Sequence, residues 1–115
     1  MIAHVVLMTP RSDLDDAARR AFASSFERAV REIPSVRAVR LGRRVRHGAG
    51  YEAGAPAADY LAVIDFDDLA GLQTYLRHPA HAELGERFAM SLASASVYDF
   101  EMGGLEAIEV WLARG

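Results

Sequence analysis

Apolar and polar positions recur with period two in some stretches and every three or four residues in others, which divides the chain into six elements. Ile2 to Met8 is an apolar run of strand length. From Ser12 to Ile33 the pattern turns helical, with Leu14, Ala18, Ala21, Phe22, Ser25, Ala29 and Ile33 on one stripe. Ser12 with Asp15 three residues on has the spacing of a capping box, Asp standing for Glu, and Pro34 ends the helix. Residues 36–46 alternate well enough for a second strand, with Gly42 expected as a bulge. A glycine-rich loop, HGAGYEAGAPA, leads to a third strand over 59–66. Asp67 or Asp68 can cap a short helix carrying Leu69, Leu72 and Leu76, and Pro79 suits the first turn of another with His81, Leu84, Phe88 and Leu92. The last strand is SVYDFEM, 96–102, and the tail GGLEAIEVWLARG reads equally as strand or helix.

The order βαββαβ, with right-handed crossovers, predicts an α+β fold: a ferredoxin-like four-stranded antiparallel sheet with its helices on one face. The first and third strands, however, are apolar on both faces. Ile2, Val6 and Met8 oppose Val5 and Leu7, while Ala62, Ile64 and Phe66 oppose Leu61 and Val63. A sheet covered on one side should alternate apolar with polar. A second copy of the same sheet is the simplest cover, so the expected state is a homodimer packed face to face. The strand over 36–46 then lies at an edge, where its five arginines discourage further pairing.

Composition narrows the function. At 115 residues the chain is one domain. A net charge of -3 argues against a nucleic-acid partner, and no apolar run approaches membrane-spanning length, so no membrane partner is expected. Cysteine is absent, which removes thiol chemistry and disulfides. The short first apolar run has no basic region before it and is not a signal peptide, so the expected location is cytoplasmic. All 13 basic residues are arginine, a coding bias that points to a bacterial source and not to chemistry.

Candidate chemistry gathers in YLRHPAH, Tyr75 to His81. Pro79 biases His78 away from helical geometry, so two helical pieces meet there and His78 reads as a cap. His81 lies on the apolar stripe of the second piece and can serve as a general base near neutral pH. Tyr75 follows Leu72 and faces inward. Read structurally, Tyr75 and His81 satisfy each other in a kinked, buried junction. His4 shares the strand face of Ile2, Val6 and Met8 and needs a partner in either reading. Asp99, between Tyr98 and Phe100, either orients a histidine or faces solvent. His78-x-x-His81 lacks the four-residue spacing of helical zinc sites, so no metal is assigned. GAGYEAG lacks the following helix of a phosphate loop and reads as a hairpin connection.

These pieces together resemble the stress-responsive dimeric α/β-barrel family: His4 on the first strand, Ile33-Pro34, DYLAVIDF, Tyr75-x-x-His78-Pro79-x-His81 and Tyr98-Asp99-Phe100. The similarity spans residues 1–102, with 103–115 as a C-terminal extension of the same domain. It implies a dimeric α/β barrel. Many members have no known activity. One plant branch contains polyketide cyclases that close poly-β-ketones by aldol condensation without a cofactor. That branch implies His81 and Tyr75 as catalytic residues, with His4 and Asp99 beside them, and Phe22 and Phe26 as aromatics lining a substrate pocket. The expected function is thus a cofactor-independent cyclase or lyase on a polyketide-like β-dicarbonyl. His4 and Asp99 would set the tautomer of His81. A non-enzymatic dimer binding a small molecule is the rival reading, and a cofactor-free monooxygenase of the antibiotic-biosynthesis type is a third.

Overall fold

The computed structural model of the chain describes residues 1–114. In order they form β1 (Ile2–Pro10), α1 (Asp16–Glu32), β2 (Ala38–Arg43), a short 3-10 turn (Gly50–Glu52), β3 (Tyr60–Phe66), α2 (Leu69–Arg77), α3 (Pro79–Ser91), β4 (Leu92–Glu101) and α4 (Ala107–Arg114). The sheet is antiparallel with strand order β2-β3-β1-β4, the predicted ferredoxin-like topology. The predicted order is present, with the second helical segment split into α2 and α3 and a 3-10 turn inside the glycine-rich loop. Among the described residues no helix is long and apolar enough to cross a membrane.

The two-sided apolarity of β1 and β3 resolves as expected on one face. His4, Val6, Met8, Ala62, Ile64 and Phe66 are buried beneath the helices, where they meet Phe26, Ala29 and Ile33 of the α1 region, Leu72 and Tyr75 of α2, and Ala80 and Leu84 of α3. On the other face Val5, Leu7, Leu61 and Val63 are only half-buried. Tyr98 and Phe100 of β4 extend that face and are about half exposed, at 52% and 50%. The molecule is only 19 Å through its thinnest dimension, the depth of one sheet and one helical layer, so among the described residues no second layer covers this side.

Several boundaries differ from the sequence expectation, each for a local reason. The cap of α1 is Asp15, whose side chain accepts from Ala18 N at 2.8 Å, and not Ser12. Arg11 has already engaged Asp13, and its carbonyl takes Leu14 N–H, so residues 11–14 form a turn before the helix begins. Gly42 makes no bulge; it pairs in register with Leu61, and β2 is confined to Ala38–Arg43. The irregularity lies instead between Thr9 and Pro10, where proline has no N–H to give the β1–β4 ladder. α2 is capped by Asp68, which accepts from Gly71 N at 2.9 Å. Leu92, expected on the last helical stripe, opens β4, which is four residues longer at its start than the expected 96. The tail adopts the helical alternative, α4, although its last residue, Gly115, lies outside the described residues.

Candidate functional site

The YLRHPAH junction is built by one residue acting twice. His78 N–H donates to Tyr75 O at 3.2 Å and closes α2, while its ring Nδ1 accepts from Ala80 N at 3.0 Å and opens α3. Pro79 occupies the first helical turn, where a missing N–H costs nothing. An Nδ1 that accepts a backbone N–H is occupied, and among the described residues no group of three His, Asp or Glu side chains has metal-binding proximity.

The junction turns Tyr75 and His81 toward each other. Their ring centroids are 4.8 Å apart in an edge-to-face arrangement. Tyr75 also meets Phe66 at 5.2 Å and His4 at 5.8 Å, which places it at the centre of an aromatic cluster formed by β1, β3, α2 and α3. Its ring is 1% exposed. Burial raises the phenol to about 12, so it stays protonated and can only donate or accept a hydrogen bond near neutral pH. His81 is half-buried, and burial, reinforced by the charge of nearby His4, lowers its pKa below the ordinary 6.5, although the Leu76 carbonyl pulls the other way. It is therefore a neutral imidazole at pH 7, the form that accepts a proton.

His4 is buried at 5% exposure, and its Nδ1 lies 2.6 Å from Asp99 Oδ1. The β1–β4 register sets the two residues directly opposite each other. A carboxylate only accepts, so Nδ1 of His4 is the donor in this contact, which leaves Nε2 on the other side of the ring. The expected relay therefore changes form: Asp99 fixes His4, and no hydrogen bond joins either group to His81 among the described residues.

These rings line one cavity of about 280 Å³, together with Val6, Phe26, Ile64, Leu76, Leu84, Gly85, Phe88 and Val97. The wall is almost wholly apolar except for His4, Tyr75 and His81. Among the described residues only Thr9 Oγ1 and Ser35 Oγ are fully enclosed without a hydrogen bond, so the Tyr75 oxygen, which has no such bond, is not fully enclosed. Phe26 is in this wall, as expected. Phe22 is not: it stacks on Phe88 at 5.2 Å and faces a second, larger groove of about 690 Å³ between α1 and β2. The shift follows from helical geometry, since four residues turn Phe22 some 40° off the direction of Phe26. Asp99 stands behind His4 instead of in the wall, with its side chain 43% exposed. Val6, already placed on the face of His4, is joined by Val97, which went unnoticed in the sequence though period two puts it on the face of Asp99.

Comparison with known proteins adds a family and a set of folds. The family described as stress responsive A/B barrel domain matches residues 2–102. No curated protein sequence matches the chain. Among solved structures, a protein from Arabidopsis thaliana superposes with a TM-score of 0.75 at 19% identity, covering 91% of this chain and 98% of that one. A hydroxynitrile lyase from Passiflora edulis gives 0.75 at 15% identity, covering 89% and 93%. A dimeric ferredoxin-like protein of unknown function from Thermobifida fusca gives 0.67 at 22% identity, covering 88% and 90%.

Proposed function

The chain belongs to the stress-responsive A/B barrel domain family, and on that footing we propose that it is a cyclase or lyase acting on a β-dicarbonyl compound by proton transfer, without a cofactor. One observation carries the reading: His4, Tyr75 and His81 are the polar groups of an otherwise apolar cavity. A small apolar pocket with a few convergent polar groups is the common form of a small-molecule site.

His81 removes the acidic proton between two carbonyls, and that proton moves to an imidazole nitrogen. The electron pair left behind becomes an enolate, and Tyr75 donates a hydrogen bond to its oxygen. In a cyclase the enolate carbon then attacks a distal carbonyl of the same chain. The new alkoxide recovers the proton from the His81 imidazolium, so the enzyme returns to its starting state. In a lyase the same steps run in reverse and a carbon–carbon bond breaks. His4, held by Asp99, turns Nε2 toward the cavity to fix the substrate's orientation. The C–H of a β-dicarbonyl is already acidic, so positioning and one neutral base suffice.

The lowered pKa of His81 and the protonated state of Tyr75 both support these roles. The hydroxynitrile lyase of similar fold supports a lyase chemistry in this architecture. The bare sheet face, and a neighbour described as dimeric, support the homodimer as the working form.

The test is exchange of the α-proton of β-keto esters in deuterated water, followed by NMR. Wild-type chain should accelerate exchange above buffer, and His81→Ala should abolish the acceleration while remaining folded. Full exchange by His81→Ala, or none by the wild type across a range of ester sizes, overturns the assignment. The second outcome leaves a binding protein whose Tyr–His cluster only seals a core.

A further inference from the structure

The feature with no role so far is α4, which lies outside the family's matched span. Leu105, Ile108, Trp111 and Leu112 fall at three- and four-residue spacings, so they form one apolar stripe, and they are 91%, 59%, 44% and 74% exposed. Among the described residues the helix makes no extensive packing with another element, and Trp111 folds over Gly103. The radius of gyration, 15.9 Å, exceeds the roughly 13 Å of a compact chain this size, as an outlying arm would make it.

The apolar groove between α1 and β2 is the natural seat for such a stripe. Phe26, Val30, Val36, Val39 and Leu41 line it; Glu27, Arg31 and Arg37 stand at its rim, Arg31 paired with Glu27 and Arg37 with Asp67. In this structure α4 does not fill the groove of its own chain, and no α4 residue lines it. β2 and β4 are opposite edges of the sheet, three strand spacings or about 14 Å apart, with the helical layer lying between.

Two sheets packed by their bare faces admit two simple two-fold arrangements. One sets β2 against an antiparallel β2, which brings together two edges rich in arginine (Arg37, Arg40, Arg43, Arg44 and Arg46). The other sets the β2 edge against the partner's β4 edge, which runs on into a tail carrying Glu106 and Glu109. Opposite charges favour the second. Its axis runs along the strands and preserves position along them. The tail leaves β4 beside Met1, where Met102 N bonds Met1 O at 3.0 Å, at the sheet end where β2 begins opposite Asp65. It therefore arrives at the partner's Val36, Arg37 and Ala38, the mouth of the groove.

We infer that α4 of one protomer docks in the α1–β2 groove of a second copy, with the stripe of Leu105, Ile108, Trp111 and Leu112 inward. Phe26 is a wall of both this groove and the Tyr75–His81 cavity. Each candidate site is thus backed by its partner's tail.

The chain has no cysteine, which makes a clean test. Ala38→Cys and Leu112→Cys, both at exposed positions, are co-expressed with different tags and oxidised. A disulfide should join the two tagged chains, and neither variant alone should cross-link, because each position then lies at opposite edges of the dimer. Ile108→Arg with Leu112→Arg should weaken the dimer at least on the order of tenfold, read by analytical ultracentrifugation. Cross-linking of Leu112→Cys with itself, a monomeric wild-type chain, or no mixed disulfide in a chain that runs as a dimer overturns the inference. None of these readouts requires turnover, so they stand or fall apart from the proposed chemistry.

Discussion

His4 Nδ1 and Asp99 Oδ1 lie 2.6 Å apart across two strands that pair residue against residue. The contact joins the first strand to the last and gives a buried imidazole its partner, while Asp99 itself stays 43% exposed at the side chain. Removing the carboxylate strands a buried N–H. Asp99→Ala should therefore cost about 1–3 kcal/mol in urea denaturation. It should also release the His4 tautomer, seen as a mixed Nδ1–H and Nε2–H population in imidazole nitrogen NMR. An unchanged tautomer would show that backbone packing, not the carboxylate, orients the ring.

Tyr75 separates structure from catalysis cleanly. Its hydroxyl has no hydrogen bond among the described residues, so Tyr75→Phe should stay within about 1 kcal/mol of wild-type stability. The loss of an enolate donor should lower proton-exchange turnover about a hundredfold. A large stability loss with intact turnover would reverse the two roles.

His81 predicts a pH dependence. Burial and His4 lower its folded pKa below the unfolded value of 6.5, so the unfolded chain binds its proton first as pH falls. The contribution of this ring to stability is complete above 6.5 and declines as pH drops from there through the lower folded pKa. Urea midpoints between pH 7.5 and pH 5 should fall in the wild type and fall less in His81→Leu. Parallel curves would show that other groups set the dependence.

Gly103 makes room for the single tryptophan. A Cβ there would stand 2.8 Å from Trp111 Cη2, closer than carbon atoms approach. Gly103→Ala should displace the indole and shift its fluorescence, with the sheet and helical core unaffected. Because the chain has one Trp, the emission reports α4 alone. An unshifted spectrum would mean the ring does not rest on Gly103.

The fold was legible because periodicity dictates it. The apolar runs Ile2–Met8 and Tyr60–Phe66, of strand length, and the helical spacing through Phe22, Phe26 and Ala29 each correspond to a buried face in the structure. The boundaries were less legible, since caps and ladder breaks depend on which neighbour takes a polar group first. Arg11 claiming Asp13 moved the cap from Ser12 to Asp15, and no spacing rule foresees that.

For the site, sequence alone determined the residue types and the kink. Pro79 must interrupt the helix, His78 is then free to cap it, and Tyr75 and His81 fall on apolar stripes that have to face inward. Only the tertiary structure decided the pairings. Asp99 meets His4 because antiparallel register aligns residues 95 positions apart, and it leaves His81 to the edge of Tyr75. It likewise divided Phe22 from Phe26 between two cavities and sent α4 away from its own core. Local pattern fixes which side of an element is buried; the register and packing between elements fix what each buried group touches.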